Sequence, residues 1–168
     1  MTPEQFLESF VEWNLADCCE QPGDIRRGFN AAVSASQLAD HYFFFAKRHK
    51  PELVAPFQNL GQFVEHICQE TSGAFKDIRS VSNVYKHLYT DKGELSQYSS
   101  VNSCGAIECL RLETDEPIRA LEEDYVSGDE QEGRMRVIVR RKDGSNFELL
   151  PALEAVVAYF RELVYAQV

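Results

Sequence analysis

Much that would place this chain in an export pathway or a membrane is missing from it. No apolar run approaches the 18 or more residues of a membrane-spanning helix, and the opening Met1-Thr2-Pro3-Glu4 carries an acid where an export signal needs bases. Cysteine is present five times, at 18, 19, 68, 104 and 109; an odd count with one adjacent pair is poor material for a disulfide framework. These thiols are therefore expected to be reduced, in a cytoplasm. Gly23, Gly28, Gly61 and Gly73 stand alone, so there is no glycine-rich loop to cradle a phosphate. His41, His49, His66 and His87 are scattered rather than paired at metal-ligand spacing, and Cys104 and Cys109 would point to opposite faces of a strand. Neither a metal nor a cofactor is expected. Cys18-Cys19 has no histidine close by in sequence to activate it as a nucleophile.

What is present suits one globular domain over residues 1–168. Hydrophobic residues make up 44% of the chain, enough for a core without metal or disulfide support. A chain of this size buries about 68–70% of the surface it exposes when unfolded. The predicted fold class is α+β: an N-terminal antiparallel four-helix bundle over 1–90, then, over 104–168, a small antiparallel β-sheet or hairpin and a C-terminal helix.

The elements are legible one by one. Thr2-Pro3-Glu4-Gln5 is a capping box with Pro at the first helical position. Phe6, Phe10 and Trp13 would form the inward stripe of that helix, with Glu4, Glu8 and Glu12 facing water. Asp24 caps a second helix running to Lys50, with small residues where helices could approach closely. Its end, Tyr42-Phe43-Phe44-Phe45, is apolar in nearly every direction, so that turn is either central in the core or a subunit interface. Pro56 is expected to open a third helix with Phe57, Leu60, Val64, Ile67 and Cys68 inside. A fourth runs from Ala74 to about Tyr89, with Phe75, Ile78, Ser82, Tyr85 and Tyr89 in one sector, widened by Val81 and Leu88. Residues 91–103 read as a polar loop. Strands are expected at 106–112 and at 134–141, the second with Met135, Val137 and Val139 on one face and Arg134, Arg136 and Arg140 on the other. Asp143-Gly144 suits a type I′ hairpin turn into a strand over 146–149. Pro151 should start the last helix, with Leu153, Val156, Val157, Phe160 and Leu163/Val164 as its core stripe.

Charge is unevenly placed. Of the net −10, the stretch from Glu113 to Glu132 supplies −8, and five bases (Arg134, Arg136, Arg140, Arg141 and Lys142) follow it within nine residues. The acids and bases either screen one another or leave Arg134, Arg136 and Arg140 available to a polyanion. Nucleic-acid binders carry a larger surplus of bases than this chain does.

On the fourth helix Arg79, Asn83 and His87 recur at i, i+4 and i+8, with Lys86 beside them, as a polar ladder flanking the apolar sector. Such a ladder either bridges helices by hydrogen bonds or contacts a ligand or partner. The run Asp77-Ile78-Arg79-x-x-x-Asn83-x-x-Lys86-His87 resembles an element of small uncharacterised bacterial proteins in which a helical bundle precedes a short hairpin and a C-terminal helix. It is also similar, distantly, to HEPN domains, whose helix-borne Arg and His form a metal-independent RNase site at a dimer interface. That family spaces the two more closely than the seven positions between Arg79 and His87. The resemblance implies that His87 would move a proton and Arg79 would stabilise phosphate charge, in a toxin–antitoxin or phage-defence setting. The residues themselves point first to a non-enzymatic interaction module: a homodimer through the Tyr42–Phe45 region, with the ladder or the basic strand holding a protein partner, and no membrane role.

Overall fold

A computed structural model describes residues 1–92, 95–111 and 135–166. The chain is α+β. It begins with a continuous helical run made of α1 (Pro3–Phe6), a π-helical turn (Leu7–Val11) and α2 (Glu12–Glu20). The long α3 (Ile25–His49), α4 (Leu60–Glu70) and α5 (Ala74–His87) follow, then the single turn α6 (Leu95–Tyr98). Strands β1 (Ile107–Arg111), β2 (Met135–Arg140) and β3 (Asn146–Glu148) form one antiparallel sheet in that order, and α7 (Leu149–Tyr165) ends the described fold. Among the described residues no helix is long and apolar enough to cross a membrane. Arg134 and the acidic stretch from Glu113 to Glu132 lie outside the described residues.

The capping box forms as expected: the Gln5 N–H donates to Thr2 Oγ1 and the Thr2 N–H to Gln5 Oε1. The face the first run buries differs from expectation. Leu7, Val11, Leu15 and Cys18 go inward, while Phe10 is 43% and Trp13 73% exposed. Two apolar stripes compete on this helix. The π-turn, in which the Glu12 N–H reaches back to the Leu7 carbonyl, rotates the aliphatic one onto α3. Glu8 and Glu12 do not simply face water: Glu8 accepts from the Tyr165 hydroxyl (3.0 Å) and Glu12 from Arg161 Nε (2.8 Å), tying this run to α7.

Asp24 caps α3 through the N–H groups of Arg26 and Arg27. Ala31, Ala32, Ala35 and Ala39 are buried along α3, where it packs most extensively on α5. α3 also lies close to the start of α7 at Gly28, where a Cβ would come within 2.6 Å of Leu149 Cδ2. α7 packs on α5, α3 and α2, so the helical layer is completed from the far end of the chain. Its stripe of Leu153, Val156, Val157, Phe160 and Val164 is buried. It starts at Leu149, two residues before Pro151, because proline is tolerated in a first turn whose N–H groups have no partner within the helix.

Other boundaries also moved. α4 opens at Leu60 under an Asn59 cap, and Phe63 and Ile67 are its fully buried residues. α5 stops at His87. Leu88 sits at φ 62° and ψ −45°, and the Tyr89 N–H bonds to the His87 carbonyl at 2.6 Å, a γ-turn in the rare, strained hand. That turn throws Leu88 and Tyr89 off the helix, and both are exposed; Tyr85 is exposed too, and Val84 takes the inward place. The polar stretch after Tyr89 contains α6 and buries Thr90, Ser99 and Val101.

In the sheet, Ile107, Val137 and Val139 face the core. The hairpin turn is not type I′, which needs positive φ at two residues. Here Gly144 alone has it (86°), and the Gly144 N–H bonds back to the Arg141 carbonyl, leaving glycine at a bulge position.

Candidate functional site

The polar ladder is divided in its surroundings. Arg79 Nη1 bonds to Asp40 Oδ1 at 3.0 Å, so the guanidinium ties α5 to α3. Asn83 is half-buried, and Lys86 and His87 are exposed at the end of the helix. On the outer face of the sheet, Ile138 lies between Glu108 and Glu148 on the neighbouring strands. Arg136 bonds to Glu148, and Arg140 Nη2 lies 3.4 Å from Glu108 Oε1. Cross-strand carboxylates thus meet both described arginines of the basic face.

A polar cluster that sequence reading missed lies where α5, the hairpin and the segment after α6 meet. Asp77, 5% exposed, accepts from Arg141 Nε (3.0 Å to Oδ1) and Nη2 (2.7 Å to Oδ2), a bidentate pair, and from the Ser100 hydroxyl (2.8 Å). The Ser100 N–H donates to Ser80 Oγ (2.8 Å), and the Arg141 guanidinium also lies 4.7 Å from the centre of the Phe147 ring. Bonding to Asp77 pushes the Arg141 pKa up from its ordinary value, against the opposing effect of burial. Every member of this cluster has a protein partner, which makes it a latch between elements rather than an open site.

The open surface is elsewhere, on the face shared by the first helical run and α3. Successive residues of Tyr42–Phe45 point in different directions, as 100° per residue requires. Tyr42 and Phe43 are buried against Phe63, while Phe44 is 59% exposed and Phe45 half-buried. The core alternative read from the sequence therefore holds for Tyr42 and Phe43, whereas Phe44 faces solvent. Outward along α3, His41, Phe44 and Arg48 recur at i, i+3 and i+7, with Phe45 and His49 on the same flank.

These side chains join the aromatics of the first run in a row of rings. Phe10 lies 5.2 Å from Phe6, Phe6 5.0 Å from His41, His41 6.3 Å from Phe45, and Phe45 4.5 Å from His49. His41 Nε2 donates to the Met1 carbonyl (3.1 Å), fixing its ring. Beside the row lies an open hollow of about 470 Å³, walled by Phe6, Phe44 and Phe45 and rimmed by Asp40, Arg48 and His49. The i, i+4, i+8 spacing of His41, Phe45 and His49 was a sequence signal for this row. What concealed it was the contribution of Phe6 and Phe10, which the expected inward stripe had placed in the core.

Among the described residues no group of three His, Cys, Asp or Glu is placed to hold a metal ion. No protein-family model, no curated protein and no solved structure matches this chain.

Proposed function

We propose that this chain is a non-enzymatic interaction module, acting in the cytoplasm, that self-associates through the aromatic–histidine face of α1 and α3. On this reading the helices of residues 1–90 act as an antiparallel four-helix platform that presents the face. The observation that carries it is the row of five rings beside the hollow, with Phe44 59%, Phe10 43% and the neighbouring Trp13 73% exposed. Contiguous aromatic surface with polar groups around it is what protein interfaces are enriched in. The five free thiols, with burial pushing Cys18 up to about 11, would stay reduced there. Sedimentation equilibrium tests the reading: wild type should be dimeric and Phe44→Glu monomeric and folded. A chain that stays monomeric at its solubility limit would overturn it.

A second reading, an HEPN-like metal-independent RNase or its inactive relative, draws on the exposure of Lys86 and His87. The Arg79–Asp40 pair weighs against it, because a guanidinium held by a carboxylate is less free to stabilise a phosphate. Cleavage of single-stranded RNA in the presence of a chelator, lost in both Arg79→Ala and His87→Ala, would favour this reading instead.

A further inference from the structure

Of the four histidines in the chain, His41 and His49 stand in the ring row, while His66 lies against Phe57 (5.1 Å) and His87 at the end of α5. Because His41 Nε2 donates to the Met1 carbonyl, a second proton enters at Nδ1 and leaves that bond in place. Protonating His41 therefore adds charge to the row without undoing a contact inside the copy. Apart from the imidazoles, the hollow beside the row is lined by one acid, Asp40, and one cation, Arg48. Around it α3 adds Lys47 and Lys50, α5 adds Arg79, and the turn Pro51–Leu53 adds Glu52. The first run adds the Met1 amine and Glu4; its Glu8 and Glu12 are engaged by Tyr165 and Arg161 of α7. Bases already outnumber acids there, and Asp40 is held by Arg79 at 3.0 Å.

We infer that the row is a pH switch on self-association: two copies meet through it while His41 and His49 are neutral, and they separate when both are protonated. The inference rests on the reading of the α1–α3 face as the self-association surface. Identical chains pair most often about a two-fold axis, so that a patch meets itself. Each copy then brings two imidazoles to one contact, and acid sets like charges against each other across it, beside Arg48 of both copies. Like charges facing one another where water is excluded disfavour the pair. Attraction of an imidazolium to Phe6 and Phe45 operates within one copy, so it is kept on separation and does not offset the repulsion. Imidazole titrates at about pH 6.5, so a contact that needs it neutral is at full strength above that value and is lost as pH falls through it. The chain as a whole pulls the other way. Its net charge of −10 at pH 7 shrinks on acidification, which reduces repulsion between copies, so weakening in acid identifies the local switch.

The test is sedimentation equilibrium of the full chain at about pH 7.5 and about pH 5.5, on either side of the imidazole titration, at fixed ionic strength and with circular dichroism to show that the fold is kept. The dimer Kd should rise by about tenfold or more at the lower pH and return on neutralisation. The double variant His41→Gln/His49→Gln should dimerise with the same Kd at both values, and His66→Gln should respond as wild type does. His49 is exposed, so His49→Gln alone decides where the double variant is unfolded or monomeric, and it should remove about half of the response on a logarithmic scale. A wild-type Kd that is equal at the two pH values, or that falls in acid, overturns the inference and leaves the self-association reading standing. A response undiminished in the double variant, or in His49→Gln where that variant decides, overturns it as well. A chain monomeric at both pH values overturns both.

Discussion

Replacing Arg141 with Ala should be among the most destabilising changes available outside the apolar core. The Asp77 carboxylate that Arg141 holds is only 5% exposed, and without the guanidinium the side-chain partner it keeps among the described residues is the Ser100 hydroxyl at 2.8 Å. Charge-assisted hydrogen bonds contribute about 1.5–3 kcal/mol, and removing one member of a buried pair costs about 3–5 kcal/mol. Arg141 keeps 28% of its side chain in water, so the lower end applies, and we expect a loss of about 3 kcal/mol. For a chain of this length that lowers Tm by roughly 6–12 °C. Arg141→Lys should recover less than half, because an ammonium cannot make the two parallel bonds to Oδ1 and Oδ2. Urea unfolding of Arg141→Ala, Asp77→Ala and the double variant gives the coupling directly, expected at about 2 kcal/mol. If Arg141→Ala unfolds within about 0.5 kcal/mol of wild type, or the coupling is zero, the latch between hairpin and helix does not exist in solution.

Three further outcomes follow from local geometry. Burial works to raise the Asp24 carboxyl, but the Arg26 side chain and the Arg26 and Arg27 N–H groups outweigh it and hold its pKa below the ordinary value. A lowered folded pKa stabilises above the unfolded value of about 3.9 and loses that contribution as pH falls through the folded one, so an advantage of about 1 kcal/mol over Asp24→Asn should shrink progressively as pH falls below the unfolded value; a gap constant from pH 7 to 2.5 in urea melts would contradict this. Burial pushes Cys18 up to about 11, while Cys19 beside it is exposed. Iodoacetamide at neutral pH should therefore label Cys19 well before Cys18 by peptide mass mapping, and equal rates would show that α2 is not packed as described. Gly23→Ala puts a Cβ 2.4 Å from Met135 Cβ, and displacing that strand should cost about 1–3 kcal/mol in thermal unfolding.

The sequence by itself determined the local elements, because their signals are short-range. The Thr2–Gln5 box, the Asp24 cap, the period-two strand through Val137 and Val139 and the core stripe of α7 each depend on neighbours within a turn or a pleat, and each formed where expected. Tertiary structure decided which of two competing stripes the first helix buries. Leu7–Val11–Leu15 and Phe6–Phe10–Trp13 both have helical spacing, and only packing on α3, through a π-turn, could select the former. It decided the fate of charges too. Asp77 looks like an ordinary first-turn acid until Arg141, 64 positions later in the chain, is brought to 2.7 Å from it. The row from Phe10 to His49 is likewise invisible along the chain, since it joins residues on separate helices whose juxtaposition is set by burial of the opposite, alanine-lined side of α3. Periodicity says which residues share a face; only the packed fold says which face meets water.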